Sequence, residues 1–199
     1  MSDHYYTENP NSEHDERRLT VVALGNPLTF TTDAGVFSRD GLDRGTEVLL
    51  DALPALSGRV LDLGCGWGAV GVALGRKYPD LELVMTDINA RAVDLARRNL
   101  AQNGVRAQVL QGDDFDPVEG EFDAIVTNPP IRAGKAVIYS LFERARAYLK
   151  PGGALYLVIR KQQGAPSALK FLKEHYGEAE IIDRGSGFHV IRAMDPTAE

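Results

Sequence analysis

The stretch LDLGCGWGA, residues 61–69, decides the fold of this chain. It begins at the apolar end of a predicted strand (residues 59–63) and passes three glycines, Gly64, Gly66 and Gly68, before a predicted helix (residues 68–78). Glycines let the backbone turn tightly and approach a ligand closely, and the first turn of a helix presents unpaired N–H groups. Such a turn is typical of a nucleotide-like ligand site in an open α/β sheet.

On both sides of this stretch the chain alternates between strands and helices. Apolar runs predict strands over residues 81–86, 106–110, 122–127 and 154–159, and helical spacing predicts helices over residues 90–103, 136–149 and 165–176. The last two predicted strands, residues 180–183 and 188–193, are joined by a turn too short for a parallel crossover. We therefore predict an α/β fold with a doubly wound, seven-stranded, mostly parallel sheet whose last strand is antiparallel.

The first third of the chain predicts a smaller unit in front of this sheet. β-like runs at residues 19–24 and 28–32, separated by a turn at Gly25-Asn26, predict a hairpin, and a helix follows over residues 42–53. Residues 1–18 are polar and predict a mobile arm. We expect the hairpin and helix (residues 19–57) to pack as a lid on the ligand site of a catalytic domain that covers residues 58–199.

Composition excludes several classes of protein. Of 199 residues, 44% are hydrophobic and 25% are charged, as in ordinary globular proteins. The single cysteine, Cys65, excludes an intramolecular disulfide and a multi-cysteine zinc site. We expect no metal, no membrane segment, a cytoplasmic location, and a monomer or homodimer. The net charge of −6 argues against indiscriminate nucleic-acid binding, although residues 131–199 carry a net charge of +4.

Acidic residues follow three successive predicted strands. Asp62 ends the first strand, where a carboxylate repels pyrophosphate and can hold an ammonium group. Asp87 follows the second, 23 residues after Gly64, and can accept hydrogen bonds from both ribose hydroxyls. Asp113 and Asp114 follow the third and can bind an adenine amino group. We expect these side chains to meet along one edge of the sheet.

The glycine stretch also leaves a second class of enzyme open. Residues 64–69 fit the dinucleotide fingerprint G-x-G-x-x-G/A, so an NAD-dependent oxidoreductase is an alternative. Asp62 favours a site for an ammonium group over one for a pyrophosphate.

The motif Asn128-Pro129-Pro130 follows the fourth predicted strand and is the most informative one. Two prolines fix the backbone and remove N–H donors. We therefore expect the Asn128 amide oxygen and the Pro129 carbonyl to point at one spot as two acceptors. This pair suits an exocyclic amino group, because it accepts both N–H protons and leaves the nitrogen lone pair directed at an electrophile.

Together these motifs resemble the class I S-adenosylmethionine-dependent methyltransferases, in the branch that methylates amino groups. Residues 30–43 also resemble the segment before the glycine loop in the small-subunit ribosomal RNA guanine-N2 methyltransferases of the C type. The resemblance covers about residues 28–194. It implies S-adenosylmethionine as cofactor, guanine N2 as methyl acceptor, and ribosomal RNA or a small-subunit assembly intermediate as partner.

The resemblance also implies a role for individual residues. Those expected to bind the cofactor are Phe37, Asp62, Gly64, Cys65, Gly66, Gly68, Asp87, Ile88, Asp113, Asp114 and Asn128. Those expected to act in catalysis are Asn128, Pro129 and Pro130, and those expected to bind the substrate are Phe37, Ile131, Arg132 and Lys135.

The chain departs from that ribosomal RNA family in two respects. The family usually has two tandem domains, whereas this chain has one. Its motif usually continues with an aromatic residue, whereas Ile131 offers apolar contact without stacking on a flat base. Two further functions therefore stay open: methylation of a protein side-chain amide, and a cofactor-binding scaffold that assists ribosome assembly without catalysis.

Overall fold

The computed structural model of the protein describes residues 8–10 and 12–195. Residues 1–7 and 11 of the predicted arm, and residues 196–199 of the predicted catalytic domain, lie outside the described residues.

Nine strands and five α-helices form the regular structure of this part of the chain, with short 3-10 turns at Ile131–Ala133 and Lys161–Gln163. They are β1 Arg17–Ala23, β2 Asn26–Thr32, α1 Arg44–Ala52, β3 Arg59–Leu63, α2 Ala69–Lys77, β4 Glu82–Asp87, α3 Ala90–Gln102, β5 Gln108–Gln111, β6 Phe122–Thr127, α4 Lys135–Arg146, β7 Leu149–Arg160, α5 Ala165–His175, β8 Glu178–Gly185 and β9 Phe188–Met194.

Strands β3 to β9 form one sheet in the order β5-β4-β3-β6-β7-β9-β8. The five strands β3 to β7 run parallel to one another. Strand β9 runs antiparallel to both of its neighbours, β7 and β8. The predicted seven-stranded sheet with an antiparallel last strand is confirmed. The chain reverses between β5 and β6, which places β3 and β6 side by side at the topological switch point where open α/β sheets bind ligands.

Each face of the sheet is covered by its own hydrophobic core. Val60 and Val126 belong to the core beneath α1, α2, α3 and the hairpin, whereas Leu61 and Ile125 belong to the core beneath α4 and α5. All four side chains are fully buried. Parallel strands that are covered on both faces bury successive side chains on opposite faces. The central strands β3 and β6 are therefore largely continuous apolar runs in the sequence.

The N-terminal hairpin turns one residue earlier than the sequence predicts. Leu24 and Gly25 have φ values of 49° and 77°, the left-handed conformation that two-residue hairpin turns require at both central positions. Asn26 therefore belongs to β2, where it pairs with Ala23.

Part of the segment predicted to be an arm contacts the rest of the molecule. Arg17 already lies in β1. The Asp15 backbone N–H donates to the buried Asp33 carboxylate at 2.6 Å, and Arg91 of α3 donates to the Ser12 carbonyl at 2.8 Å.

The other difference lies between α4 and β7. The sequence predicts a helix to residue 149 and a turn at residues 151–153, but α4 ends at Arg146 and β7 already begins at Leu149. The pairing of β6 with β7 shifts register between Phe122 and Ala124. A side chain on Gly153 would come within 2.8 Å of the Phe122 carbonyl oxygen, so the strand passes this bulge only because glycine stands there.

Candidate active site

A cavity of about 530 Å³ lies at the carboxyl ends of β3, β4, β6 and β7. The segment from Phe37 to Thr46, which connects the hairpin to α1, forms one of its walls. A cavity of this size accommodates a nucleotide-like molecule. The predicted lid segment and the predicted strand-end residues thus meet at one site.

The glycine loop forms one side of the cavity. Gly64 and Gly66 have φ values of 71° and 55°, and a Cβ atom on either would meet no atom within 4 Å. The loop is held by the Cys65 N–H, which donates to the Thr86 carbonyl at 2.8 Å. Thr86 also lines the cavity, and its buried hydroxyl has no hydrogen-bond partner among the described residues. Open backbone and an unsatisfied hydroxyl fit a bound polar ligand.

Asp62 lies beneath this loop at the start of α2. Its Oδ2 accepts a hydrogen bond from the Gly71 N–H at 2.9 Å, which supplies the cap that the N-cap residue Gly68 cannot provide. Burial, with a smaller contribution from the neighbouring Asp87, raises the pKa of Asp62 to about 7 against the lowering effect of the Gly71 hydrogen bond. A cationic group brought into the cavity would restore the charged form of Asp62.

Asp87 ties the end of β4 to the glycine loop. Its two oxygens accept from the backbone N–H groups of Gly66 at 2.8 Å and Asn89 at 2.9 Å, and burial raises the pKa of the carboxyl. The N-cap of α3 is Asn89, whose side chain accepts from Arg91 and Ala92. Asp87 is therefore available to a ligand through its remaining lone pairs.

Most of the other residues expected at the cofactor also line the cavity, but Gly68 does not, because it faces α3, where a Cβ atom on it would lie 3.3 Å from Ala96. Ile88 follows Asp87, and Asp113 and Asp114 follow β5. Asp114 has a φ of 46°, and burial together with the adjacent Asp113 raises its pKa. Burial also raises the pKa of the Cys65 thiol well above its ordinary value, so this cysteine stays neutral and is not a nucleophile.

The Asn128 side chain is held by the segment in front of α1. Its Nδ2 donates to Asp43 Oδ2 and to Thr46 Oγ1, both at 3.0 Å. Asp43 is also the N-cap of α1, since it accepts from the Thr46 N–H at 3.1 Å. A carboxylate only accepts hydrogen bonds, so Asp43 fixes which end of the amide faces it. The two contacts use the donor end of the amide and leave the Oδ1 atom of Asn128 as its acceptor end.

The two prolines form a tighter turn than expected. Pro130 has φ −74° and ψ 78°, and the Ile131 N–H donates to the Pro129 carbonyl at 2.8 Å, which is an inverse γ-turn. One lone pair of the Pro129 carbonyl is therefore already occupied. The second lone pair is the one that can receive a ligand amine.

The residues expected at the substrate divide into two groups. Phe37, Ile131 and Arg132 line the cavity, and the Phe37 side chain is 37% exposed. Lys135 does not line it, because its Nζ lies 5.0 Å from the centre of the Tyr139 ring on α4. The structure therefore does not place Lys135 at the site.

Several cavity residues have no role in the motif-based prediction. Asp43 and Thr46 are the most important of them, together with Val137 of α4 and Arg160 and Phe188 at the ends of β7 and β9. An aspartate followed three residues later by a threonine is an ordinary helix start in the sequence. Asp43 and Asn128 are 85 positions apart in the sequence, so no local sequence pattern predicts their contact.

Comparison with known proteins assigns the family. The family model of the Methyltransferase small domain matches residues 27–192. The chain belongs to this family. Two sequence-based predictions, the fold class and a methyltransferase that uses S-adenosylmethionine, are thereby confirmed, and the NAD-dependent alternative is wrong.

Three relatives of this family member are informative. The protein YbxB of Bacillus subtilis is 39% identical over 97% of this chain and 98% of its own length. Ribosomal RNA small subunit methyltransferase C of Pseudomonas syringae is 40% identical over 90% of this chain and 55% of its own length. The structure of the T. thermophilus 16S rRNA N2 methyltransferase RsmC in complex with AdoMet and guanosine has a TM-score of 0.82 and 30% identity, covering 94% of this chain and 52% of that one. The chain thus spans about half the length of the methyltransferase C relatives.

Residues 8–10 and 12–195 contain neither a membrane-spanning helix nor a cluster of metal-ligating side chains. None of their helices combines the length and the apolar character needed to cross a membrane. No group of three or more histidine, cysteine or acidic residues in this part of the chain could hold a metal ion.

Proposed function

We propose that this methyltransferase methylates the exocyclic N2 amino group of a guanine in ribosomal RNA. The observation that carries the proposal is the fixed orientation of the Asn128 amide, whose donor end is bound by Asp43 and Thr46 and whose acceptor end is free for an amine. The similarity to ribosomal RNA small subunit methyltransferase C supports the choice of substrate. We also propose that the protein acts in the cytoplasm.

The cofactor site fits S-adenosylmethionine. We infer that the glycine loop and the free oxygen of Asp62 hold its methionine part, Asp87 its ribose, and Asp113 with Asp114 its adenine. When bound, the cofactor supplies a methyl group already activated by the positive sulfonium.

The protein itself then has to position the substrate amine that accepts the methyl group and to stabilise the positive charge that develops on its nitrogen. The Asn128 oxygen and the free lone pair of the Pro129 carbonyl accept the two N–H groups of the substrate amine, which aims its nitrogen lone pair into the cavity. Positive charge grows on that nitrogen as its new bond to carbon forms, and both oxygens stabilise it. The amine gives up a proton readily after methylation, so the site needs no strong base.

Substitution of Asn128 tests the proposal. We expect Asn128→Ala to lower kcat by about 10²–10³-fold, the effect of removing one transition-state hydrogen bond, while the calorimetric Kd for S-adenosylmethionine changes little. The assay is transfer of labelled methyl to ribosomal RNA from cells that lack the protein, followed by mass mapping of the modified nucleotide. Unchanged turnover of Asn128→Ala would contradict the role of the amide.

A protein substrate is the second candidate. Ile131 at the position usually held by a stacking aromatic favours it, because an amide side chain needs no stacking partner. Parallel assays with ribosomal and release-factor proteins separate the two: methylation of a protein with none of RNA would overturn the proposed substrate.

A further inference from the structure

The sheet edge that carries the cavity has opposite charges at its two ends. Asp87, Asp113 and Asp114 lie at the ends of β4 and β5. Three basic residues lie at the other end and form a surface that we call the β7–β9 rim: Arg160 at the end of β7, Lys161 directly after it, and Arg184 in β8. The side chains of all three are exposed.

Strand pairing brings the members of the β7–β9 rim together. His189 of β9 pairs with Ile159 on one side and with Arg184 on the other, and the Lys161 N–H donates to the Gly187 carbonyl at 2.9 Å. Burial lowers the pKa of His189, and the charges of Arg184 and Lys161 lower it further. Both cations therefore lie close enough to this imidazole to act on it.

None of the described residues neutralises the charges of the β7–β9 rim. No carboxylate of the described residues lies within 4.0 Å of its three side chains, and the Arg160 guanidinium instead lies 4.9 Å from the centre of the Phe188 ring. By contrast, Arg144, Arg146, Lys150 and Arg192 in the same basic third of the chain each have an acidic partner. Six cations of residues 131–195 have no acidic partner among the described residues: Arg132, Arg160, Lys161 and Arg184 lie at the cavity edge of the sheet, and Lys135 and Lys173 lie on α4 and α5.

The β7–β9 rim is extended rather than a single pocket. Arg132 follows β6 and lines the cavity, so unpaired positive charges lie at the ends of β6, β7 and β8, across the four neighbouring strands β6, β7, β9 and β8. At about 4.8 Å between strands, this row covers roughly 14 Å. A row of cations matches the repeated charges of a nucleic-acid backbone better than one phosphate group. Asp87, Asp113 and Asp114 repel such a backbone from the opposite end of the edge.

We propose that the β7–β9 rim binds the phosphate backbone of the RNA substrate on the acceptor side of the cavity. This inference rests on the proposed function, because it assumes an RNA substrate. It assigns backbone binding to the catalytic domain itself, which positions the target nucleotide over Asn128.

Neutralisation of the rim tests the inference. The variant Arg160→Gln/Lys161→Gln/Arg184→Gln removes three positive charges beside the cavity. The matched control Arg76→Gln/Lys77→Gln/Arg106→Gln removes three exposed cations without ion pairs at the amino-terminal edge of the sheet. The full chain of each is titrated with ribosomal RNA fragments between 50 and 200 mM salt, settings chosen because backbone binding depends steeply on salt there, and the KM for RNA is measured alongside.

We expect the rim variant to bind RNA at least about tenfold more weakly than the control. We also expect the slope of log binding constant against log salt concentration to become less steep by about 2, the value for three lost single-strand phosphate contacts. We expect the loss in methylation to fall on KM for RNA more than on kcat. If the wild-type protein methylates RNA but the two variants bind RNA with equal affinity and equal salt dependence, the role of the β7–β9 rim is wrong and the proposed function stands. If the wild-type protein neither binds nor methylates RNA, the proposed function is wrong and this inference with it.

Discussion

Asp43 links the N-terminal unit to Asn128 through one side chain. Its carboxylate caps α1 and accepts from the Asn128 amide at 3.0 Å. Asparagine is as good an N-cap as aspartate but can donate as well as accept. The side chain at position 43 therefore controls the orientation of the Asn128 amide separately from the stability of the helix.

Substitution of Asp43 by asparagine should separate these two effects. We expect Asp43→Asn to lower kcat by about tenfold, the cost of losing control over one charge-assisted hydrogen bond, with an unchanged Kd for S-adenosylmethionine and a similar melting temperature. Asp51→Asn on the exposed side of α1 is the control. A full-rate Asp43→Asn enzyme would show that Thr46 alone orients the amide.

Asp62 makes the free energy of unfolding fall as pH rises, whereas most carboxylates, whose pKa is lowered by folding, make it rise. Its pKa is raised to about 7 in the folded protein, so between pH 3.8 and this value the folded state holds a proton that the unfolded state releases. The free energy of unfolding contributed by this group therefore falls as pH rises through that window and is constant above it.

Urea denaturation of the wild-type protein and of Asp62→Asn at several pH values isolates this contribution. We expect the difference in stability between the two to shift in favour of the variant as pH rises from about 4 to about 7. Asparagine still accepts from the Gly71 N–H, so the cap of α2 is kept. A difference that does not vary with pH would mean that Asp62 is charged throughout.

At the scale of elements, asparagine side chains at the end of α3 attach the hairpin to the domain, because they bond to the backbone of β2 as a neighbouring strand would. Asn99 donates to the Thr31 carbonyl at 2.9 Å and accepts from the Thr31 N–H at 2.7 Å, and Asn103 makes the same two contacts with Thr29. Two asparagines four residues apart thus pair the outer edge of β2. Asn99 also donates to the Trp67 carbonyl at 2.7 Å, which connects this edge to the glycine loop.

Removal of Asn99 should destabilise the hairpin and the cofactor site together. We expect Asn99→Ala to lower the free energy of unfolding by about 2–4 kcal/mol, because several buried backbone groups lose their partners. The exposed Gln102→Ala on the same helix should change it by less than about 0.5 kcal/mol. Chemical denaturation and limited proteolysis of the hairpin measure the effect, and equal stability of the two variants would contradict it.

At the scale of the whole molecule, predictions from sequence succeeded where the signal is local. The strands next to the site are short apolar runs, and each carries its polar residue at its own end, as Asp62 and Asn128 do. What could not be predicted depends on distant partners. Asp43 reaches Asn128 across the fold, the bulge opposite Phe122 keeps residues 151–153 in β7, and Tyr139 holds Lys135 away from the cavity.

The position of β9 also determines when the molecule can be completed. It is the last strand in chain order, yet it lies between β7 and β8. During synthesis β7 therefore has an open apolar edge, and β8 has no neighbour in the sheet, until β9 emerges. Closure of the sheet is expected to be a late folding step, as pairings made across intervening chain are slow. Arg160 and Arg184 come to lie on either side of β9 only at that moment, so a chain in which β9 has not yet paired lacks the β7–β9 rim.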